Sequence, residues 1–281
     1  MPHKDGGVVR SIALDALVDF RRRPLMWLIL STASLPSIFL FYFLVAGSPP
    51  SLYFVFLFVG YSLTFTVLFL FWCMAVFLYD DDIRAKGKSS YRGAYARMER
   101  AVRPSAWVGL FCGLITVLAV VIAQMVVSMI LGFLATGQAS DSSLIALSVI
   151  NYFLSYLAAD LALVLIVLVP QMVTLEGGAK LEEVLRASYQ LIKERYRNAI
   201  LLFIIPEIVT RAVFLGASFA IAYVPGMGLI FALLLLCMAL LEGARTAFIA
   251  TAFNRFYYQV LDEEKKKRRK KSRQKAKQKK R

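Results

Sequence analysis

The chain has 281 residues, 59% of them hydrophobic, with 33 Lys and Arg against 18 Asp and Glu for a formal net charge of +15. The apolar residues come in blocks: 25–46, 51–79, 107–135, 161–175 and 212–241 contain no Asp, Glu, Lys, Arg or His. Uncharged apolar runs that reach 18 or more residues read as membrane spans, so a water-soluble globular domain does not fit. His3 is the one histidine and the three cysteines form no CxxC pair, which leaves no imidazole catalysis and no His-rich metal site.

Residues 1–24 predict a cytoplasmic N-terminal segment with an amphipathic helix. Val9, Ile12, Ala13, Ala16, Leu17 and Phe20 form an apolar stripe, with Arg10, Asp15 and Asp19 off it. The run that follows is too long for the core of a signal peptide and leads directly into a second apolar block, so it reads as a retained span. Spans are predicted at about 25–46, 51–79, 107–135, 143–170, 199–223 and 226–256. The connections AGSPPS (46–51), TGQASDSS (136–143) and YVPGMG (223–228) carry no Lys or Arg, whereas 80–106 and 171–198 are basic. The positive-inside rule then places the basic connections and both termini in the cytoplasm of a multi-pass cell-membrane protein.

The basic connections are themselves patterned. Tyr91, Ala94, Tyr95, Met98, Ala101 and Val102 share one helical face in 89–104. Leu181, Val184, Leu185, Ser188, Ile192 and Tyr196 do so in 180–197, with Glu182, Glu183, Arg186, Lys193 and Glu194 outward. Both predict helices lying in the interface. The fold class is therefore all-α: a polytopic membrane protein with six transmembrane helices and three amphipathic interfacial helices, in a pattern compatible with a threefold helical-hairpin repeat. The membrane domain covers 25–260. RPLMW (23–27) and RPSAW (103–107) recur at the first two elbows, and RYRNA (195–199) takes their place at the third without Pro or Trp. Arg23 and Arg103 suit phosphate level. Pro24 and Pro104 suit a first helical turn and a break from the preceding helix. Trp27 and Trp107 suit the interfacial aromatic belt. A joint of this kind needs no ligand.

Residues 261–281 predict a disordered polybasic cytoplasmic tail. From Lys265 to Arg281, 13 of 17 residues are Lys or Arg and none is acidic. Lys265, Lys266, Lys267, Arg268, Arg269, Lys270 and Lys271 open this run, which suits an anchor on the inner face or contact with anionic lipids. Nucleic acid is disfavoured as a partner, because neither aromatic interleaving nor a nucleic-acid fold accompanies the charge.

Charges inside spans are the best local guide to function. Asp160 lies in the fourth span, Glu207 and Arg211 four apart in the fifth, Glu242 and Arg245 three apart in the sixth. At 1.5 Å per residue their depths allow all five to converge, with Gln124 and Asn151 at less comparable depths. An internal ion-pair network that pins the spans together accounts for them without a substrate; a cytoplasm-facing polar groove is the functional reading. No nucleophile–base pair or metal cluster accompanies them. Pro206 is expected to kink the fifth span beside Glu207. Gly109 and Gly113, in GLFCG, make a small-xxx-small packing candidate.

The passage VPQMVTLEGGAKLEEVLRASYQLIKERYRNAILLFII (169–205) resembles bacterial and archaeal six-span proteins related to the membrane domain of glycerophosphoryl diester phosphodiesterase, and similar uncharacterised membrane families. Pro170, Glu176, Gly177, Gly178, Leu185 to Tyr189, Lys193 and Arg197 carry the likeness. FIATAFNRFYYQVLDEE (248–264) is similar to that group's last span and exit. The resemblance implies an integral membrane domain, with no phosphodiesterase residue to carry over. The expectation is a non-enzymatic membrane scaffold or accessory protein, without cofactor or metal, that contacts the bilayer and anionic lipids. Protein partners or a homo-oligomer stay open. The alternative is a transporter, channel or membrane-insertion factor with a cytoplasm-facing polar groove.

Overall fold

A computed structural model describes residues 5–45, 55–85, 90–134, 150–177 except 152, 156 and 162, 180–223 and 228–278. Two of the basic-free turns, 46–51 and 136–143, the centre of the third and the start of the fourth span lie outside these residues, as does His3. The described residues are helical, with no strand among them. The helices are α1 (Asp5–Arg22), α2 (Pro24–Val45), α3 (Tyr61–Ala85, after a π-helical turn at Phe56–Gly60), α4 (Tyr91–Leu134), α5 (Val169–Met172), α6 (Leu181–Lys193), α7 (Tyr196–Tyr223) and α8 (Gly228–Gln278). Residues 150–161 are also helical where described, and lead to α5 through a 3-10 turn at Val164–Ile166. Five stretches are long and apolar enough to cross a membrane: Phe58–Ile83, Tyr91–Gly132, Phe153–Leu175, Tyr196–Gly216 and Leu233–Glu263. A sixth is gained from Val8–Arg22 with Pro24–Leu40, a pair bent by 89° at Arg23. The chain is an all-α polytopic protein.

The three elbows part company here. At the first, α1 ends at Arg22 and Pro24 opens α2, where a missing N–H costs nothing. At the third, Glu194 and Arg195 form a turn between α6 and α7. At the second the expected break does not occur: α4 runs unbroken for 44 residues through Pro104. The reason lies in what 91–102 touches. Ala94 and Met98 are buried, and Arg97 pairs with Asp81 and, at 3.5 Å, with Asp80 at the end of α3. The Arg97 guanidinium also lies 4.4 Å over the Phe77 ring. This segment therefore packs along α3 as an extension of its span rather than turning onto the bilayer surface. α7 likewise continues through Pro206.

α6 buries the face its spacing predicts, Val184, Ser188 and Ile192. That face rests on protein: the Ser188 hydroxyl donates to the Leu165 carbonyl at 3.1 Å. α1 buries Ile12 and Ala16 as expected, but also Asp19, which was expected off the stripe and is drawn in by Arg255 of α8.

One core binds the basic ends of the helices, with Phe69, Tyr79, Leu168 and Phe253 among its largest buried side chains. Two close approaches depend on glycine. A Cβ on Gly113 would lie 3.0 Å from the Ser62 backbone, and one on Gly109 3.0 Å from Phe69, so the GLFCG pair is where α4 meets α3. A Cβ on Gly243 would fall on Ser31, so α2 and α8 touch at backbone distance.

The tail also differs from its expectation. The segment predicted to be disordered continues α8 as helix to Gln278. Lys, Arg, Gln and Ala are good helix formers, and a helix already nucleated by a packed span gains one hydrogen bond for each residue added. Repulsion between like charges at i, i+4 takes back only a few tenths of a kcal/mol per pair.

Candidate functional site

The five intramembrane charges meet. Glu207 and Arg211 stand one turn apart on α7, Glu242 and Arg245 one turn apart on α8, and Asp160 faces them from the helical stretch at 157–161. Arg245 pairs with Glu207 across the helix boundary and with Glu242 on its own helix, its Nε donating to Glu242 Oε2 at 3.1 Å. Arg211 Nε lies 3.6 Å from both Asp160 Oδ2 and Glu207 Oε2. Glu207 is 1% exposed and Asp160 4%, so neither carboxylate is hydrated by bulk solvent. Three carboxylates against two guanidinium groups give the cluster a formal charge of −1. Charges so buried persist only when paired, and here each acid touches an arginine.

Beside the cluster lies a cavity of about 90 Å³. Asp160, Glu207, Arg211 and Arg245 form its polar side, while Tyr61 and Trp72 stand on its aromatic side. Cys112 also lines it. The space suits a few waters. No set of three or more His, Cys, Asp or Glu among the described residues is placed to hold a metal ion. Asn151 is not part of the cluster: it donates to Ser128 Oγ at 2.9 Å. Gln124 is exposed.

A second polar layer, at the basic end, escaped the sequence reading. Arg23 grips Asp82 through one edge of its guanidinium in a bidentate fork, Nε to Oδ2 at 2.7 Å and Nη2 to Oδ1 at 2.5 Å. The hydrogen bonds that Arg23 donates to the Asp82 carboxylate raise the Arg23 pKa above its usual value despite partial burial. Tyr258 of α8 donates to Asp80, and Arg255 holds Asp19 and, at 3.3 Å, Asp15. Asn254 caps the Val76 carbonyl at 3.0 Å. Arg195 joins the third elbow to Glu263 at 3.2 Å. One signal was available: Asp80, Asp81 and Asp82 stand together at a helix C-terminus, where the macrodipole disfavours acids. Acids in that place call for cations nearby.

The elbow residues divide accordingly. Arg23 is turned inward to Asp82 rather than outward to phosphate. The Trp27 indole N–H donates to the Leu240 carbonyl of α8 at 2.5 Å, and its ring lies 6.2 Å from that of Phe20; it ties helices together instead of serving the aromatic belt. Pro24 is exposed. Arg103, Pro104 and Trp107 are exposed, Trp107 by 59%, which suits a lipid-facing position. In the tail, Lys265 and Lys266 are exposed; Lys267, Arg268, Arg269, Lys270 and Lys271 continue the helix.

No family model matches the chain, and a search of the curated proteins gives no match.

Proposed function

We propose that this is a non-enzymatic membrane scaffold or accessory protein that contacts anionic lipids from its cytoplasmic face, with both ends of the chain on that face of the cell membrane. The observation that carries the reading is the pairing of all five intramembrane charges with one another. Their partners lie on three different spans, so they clamp the bundle. A ligand pathway would need a passage wide enough for its cargo beside these charges, and a cavity of about 90 Å³, which suits a few waters, is too small for one. The resemblance to six-span membrane domains implies an integral membrane domain with no phosphodiesterase residue.

Cys112 offers a test that leaves the cluster intact, because it lines the same cavity. In a variant keeping Cys112 as its single cysteine, a membrane-impermeant thiol reagent is expected not to label the reconstituted protein from either side. Fast labelling from the basic side would replace the clamp with the alternative, a transporter, channel or insertion factor with a polar groove.

A further inference from the structure

An apolar groove of about 580 Å³ runs between α1, α7 and α8. Ala13, Leu17 and Phe20 form one wall, Ile205 and Val209 the second, and Phe248 the third. Its two charged lining groups, Arg10 and Arg245, differ in their engagement. Arg245 is already held by Glu207 and Glu242. Arg10 is exposed and pairs with no described residue.

The orientation of α1 says where this groove lies. α1 stands at 89° to α2, so when α2 crosses the bilayer α1 runs in its plane. Its apolar sector is wider than the strip that the protein covers: Leu14, Leu17 and Val18 remain 52%, 43% and 49% exposed. Arg10 and Arg21, both exposed, are eleven residues apart, about three turns, and so lie on the same side of the helix as these residues. An in-plane helix with an uncovered apolar sector and basic residues at both ends of it sits at the headgroup boundary. Ile205 and Val209, 58% and 54% exposed, face outward beside it. The groove thus opens into the hydrocarbon of the leaflet, with a free guanidinium at its rim.

We infer that this groove seats an acyl chain of an anionic glycerophospholipid whose phosphate is bound by Arg10. The inference rests on the reading of the protein as one that contacts anionic lipids, and it names the place. A protein segment or a second copy fits less well, because the one uncompensated polar group at the rim is a cation and calls for an anion. Arg10 discriminates headgroups; the apolar walls do not.

The full-length protein, reconstituted in nanodiscs of phosphatidylcholine with phosphatidylglycerol and extracted in mild detergent, is weighed by native mass spectrometry for the lipid it retains. Wild-type protein is expected to keep phosphatidylglycerol over phosphatidylcholine, and to do so after deletion of 265–281. Arg10→Ala is expected to lower that preference about fivefold. Leu17→Trp and Val209→Trp, at exposed positions that leave the core intact, are expected to lower retention of both lipids. An unchanged preference in Arg10→Ala, unchanged retention in both Trp variants, or a preference that vanishes with the tail alone would each overturn the assignment. Labelling of Cys112 would overturn the clamp and leave this groove in place, so the two failures are distinguishable.

Discussion

Arg245 touches carboxylates on two helices, and its removal would leave Glu207 and Glu242 facing each other without a shared cation. Breaking a buried pair from one side costs about 3–5 kcal/mol, chiefly from the charge left behind. Arg245→Met should therefore lower the unfolding free energy in detergent by about that amount. Adding Glu242→Gln takes the cluster's formal charge from −2 back to −1 and should recover part of the loss, a coupling of about 0.5–3 kcal/mol. Simple additivity in thermal unfolding of the two single variants and the double would mean that the charges do not act as one unit. Spacing and depth counting were enough to foresee this convergence, because i, i+3 and i, i+4 neighbours share a face and rise per residue sets depth. The work of Arg23 and Trp27 was not legible in the same way. Their partners, Asp82 and Leu240, lie 59 and 213 residues away, and no local pattern states which distant helix a side chain will meet. Interfacial placement was the better guess for an Arg-Pro-x-x-Trp joint, and it suits the exposed Trp107 but not Trp27.

The same local motif gives a right-angle bend in one place and none in another, so the motif does not set the geometry of the element. What differs is the surroundings. α1 swings aside because Asp82 holds Arg23 at the corner and Arg255 holds Asp19 along the helix. The first turns of α4 stay in line because Arg97 is held at the end of α3. Helix existence and apolar faces were readable from composition and period; the joint angles are tertiary and were not. Two substitutions separate the cases. Pro104→Ala restores a helical N–H inside a continuous helix and should raise stability by about 1–3 kcal/mol. A fall in stability would show that the second joint needs to bend. Asp82→Asn weakens a charge-assisted hydrogen bond of about 1.5–3 kcal/mol, and should speed tryptic cleavage at Arg21 and Arg22, where α1 meets its corner. A cleavage rate equal to wild type would remove Asp82 from the control of that bend.

At the scale of the whole molecule, α8 runs through both polar layers and into the tail. It carries Glu242 and Arg245 in the intramembrane cluster, Arg255 and Tyr258 in the layer at the basic end, and then the polybasic run. Its 51 residues make a helix about 77 Å long, whereas a bilayer with its headgroups is about 40–45 Å thick. About 30 Å of helix therefore stands beyond the membrane. Lys265 lies about 20 Å before Gln278 and so about 10 Å beyond the membrane. Electrostatic attraction to the protein's own bilayer fades over a Debye length of about 8 Å at physiological salt, so the run feels it weakly from its first turn onward. The outer turns are left to meet a surface other than their own. Proteoliposomes of phosphatidylcholine with this face outward should accordingly cluster added phosphatidylglycerol vesicles at low salt and release them at about 1 M salt. Deleting 265–281 takes the formal charge from +15 to +2, by removing 13 basic residues and no acid, and should abolish clustering while leaving the melting temperature of the membrane domain unchanged. Clustering that survives the deletion would assign the contact to the elbows instead. A melting temperature that falls with it would mean that the tail packs on the bundle rather than reaching away from it.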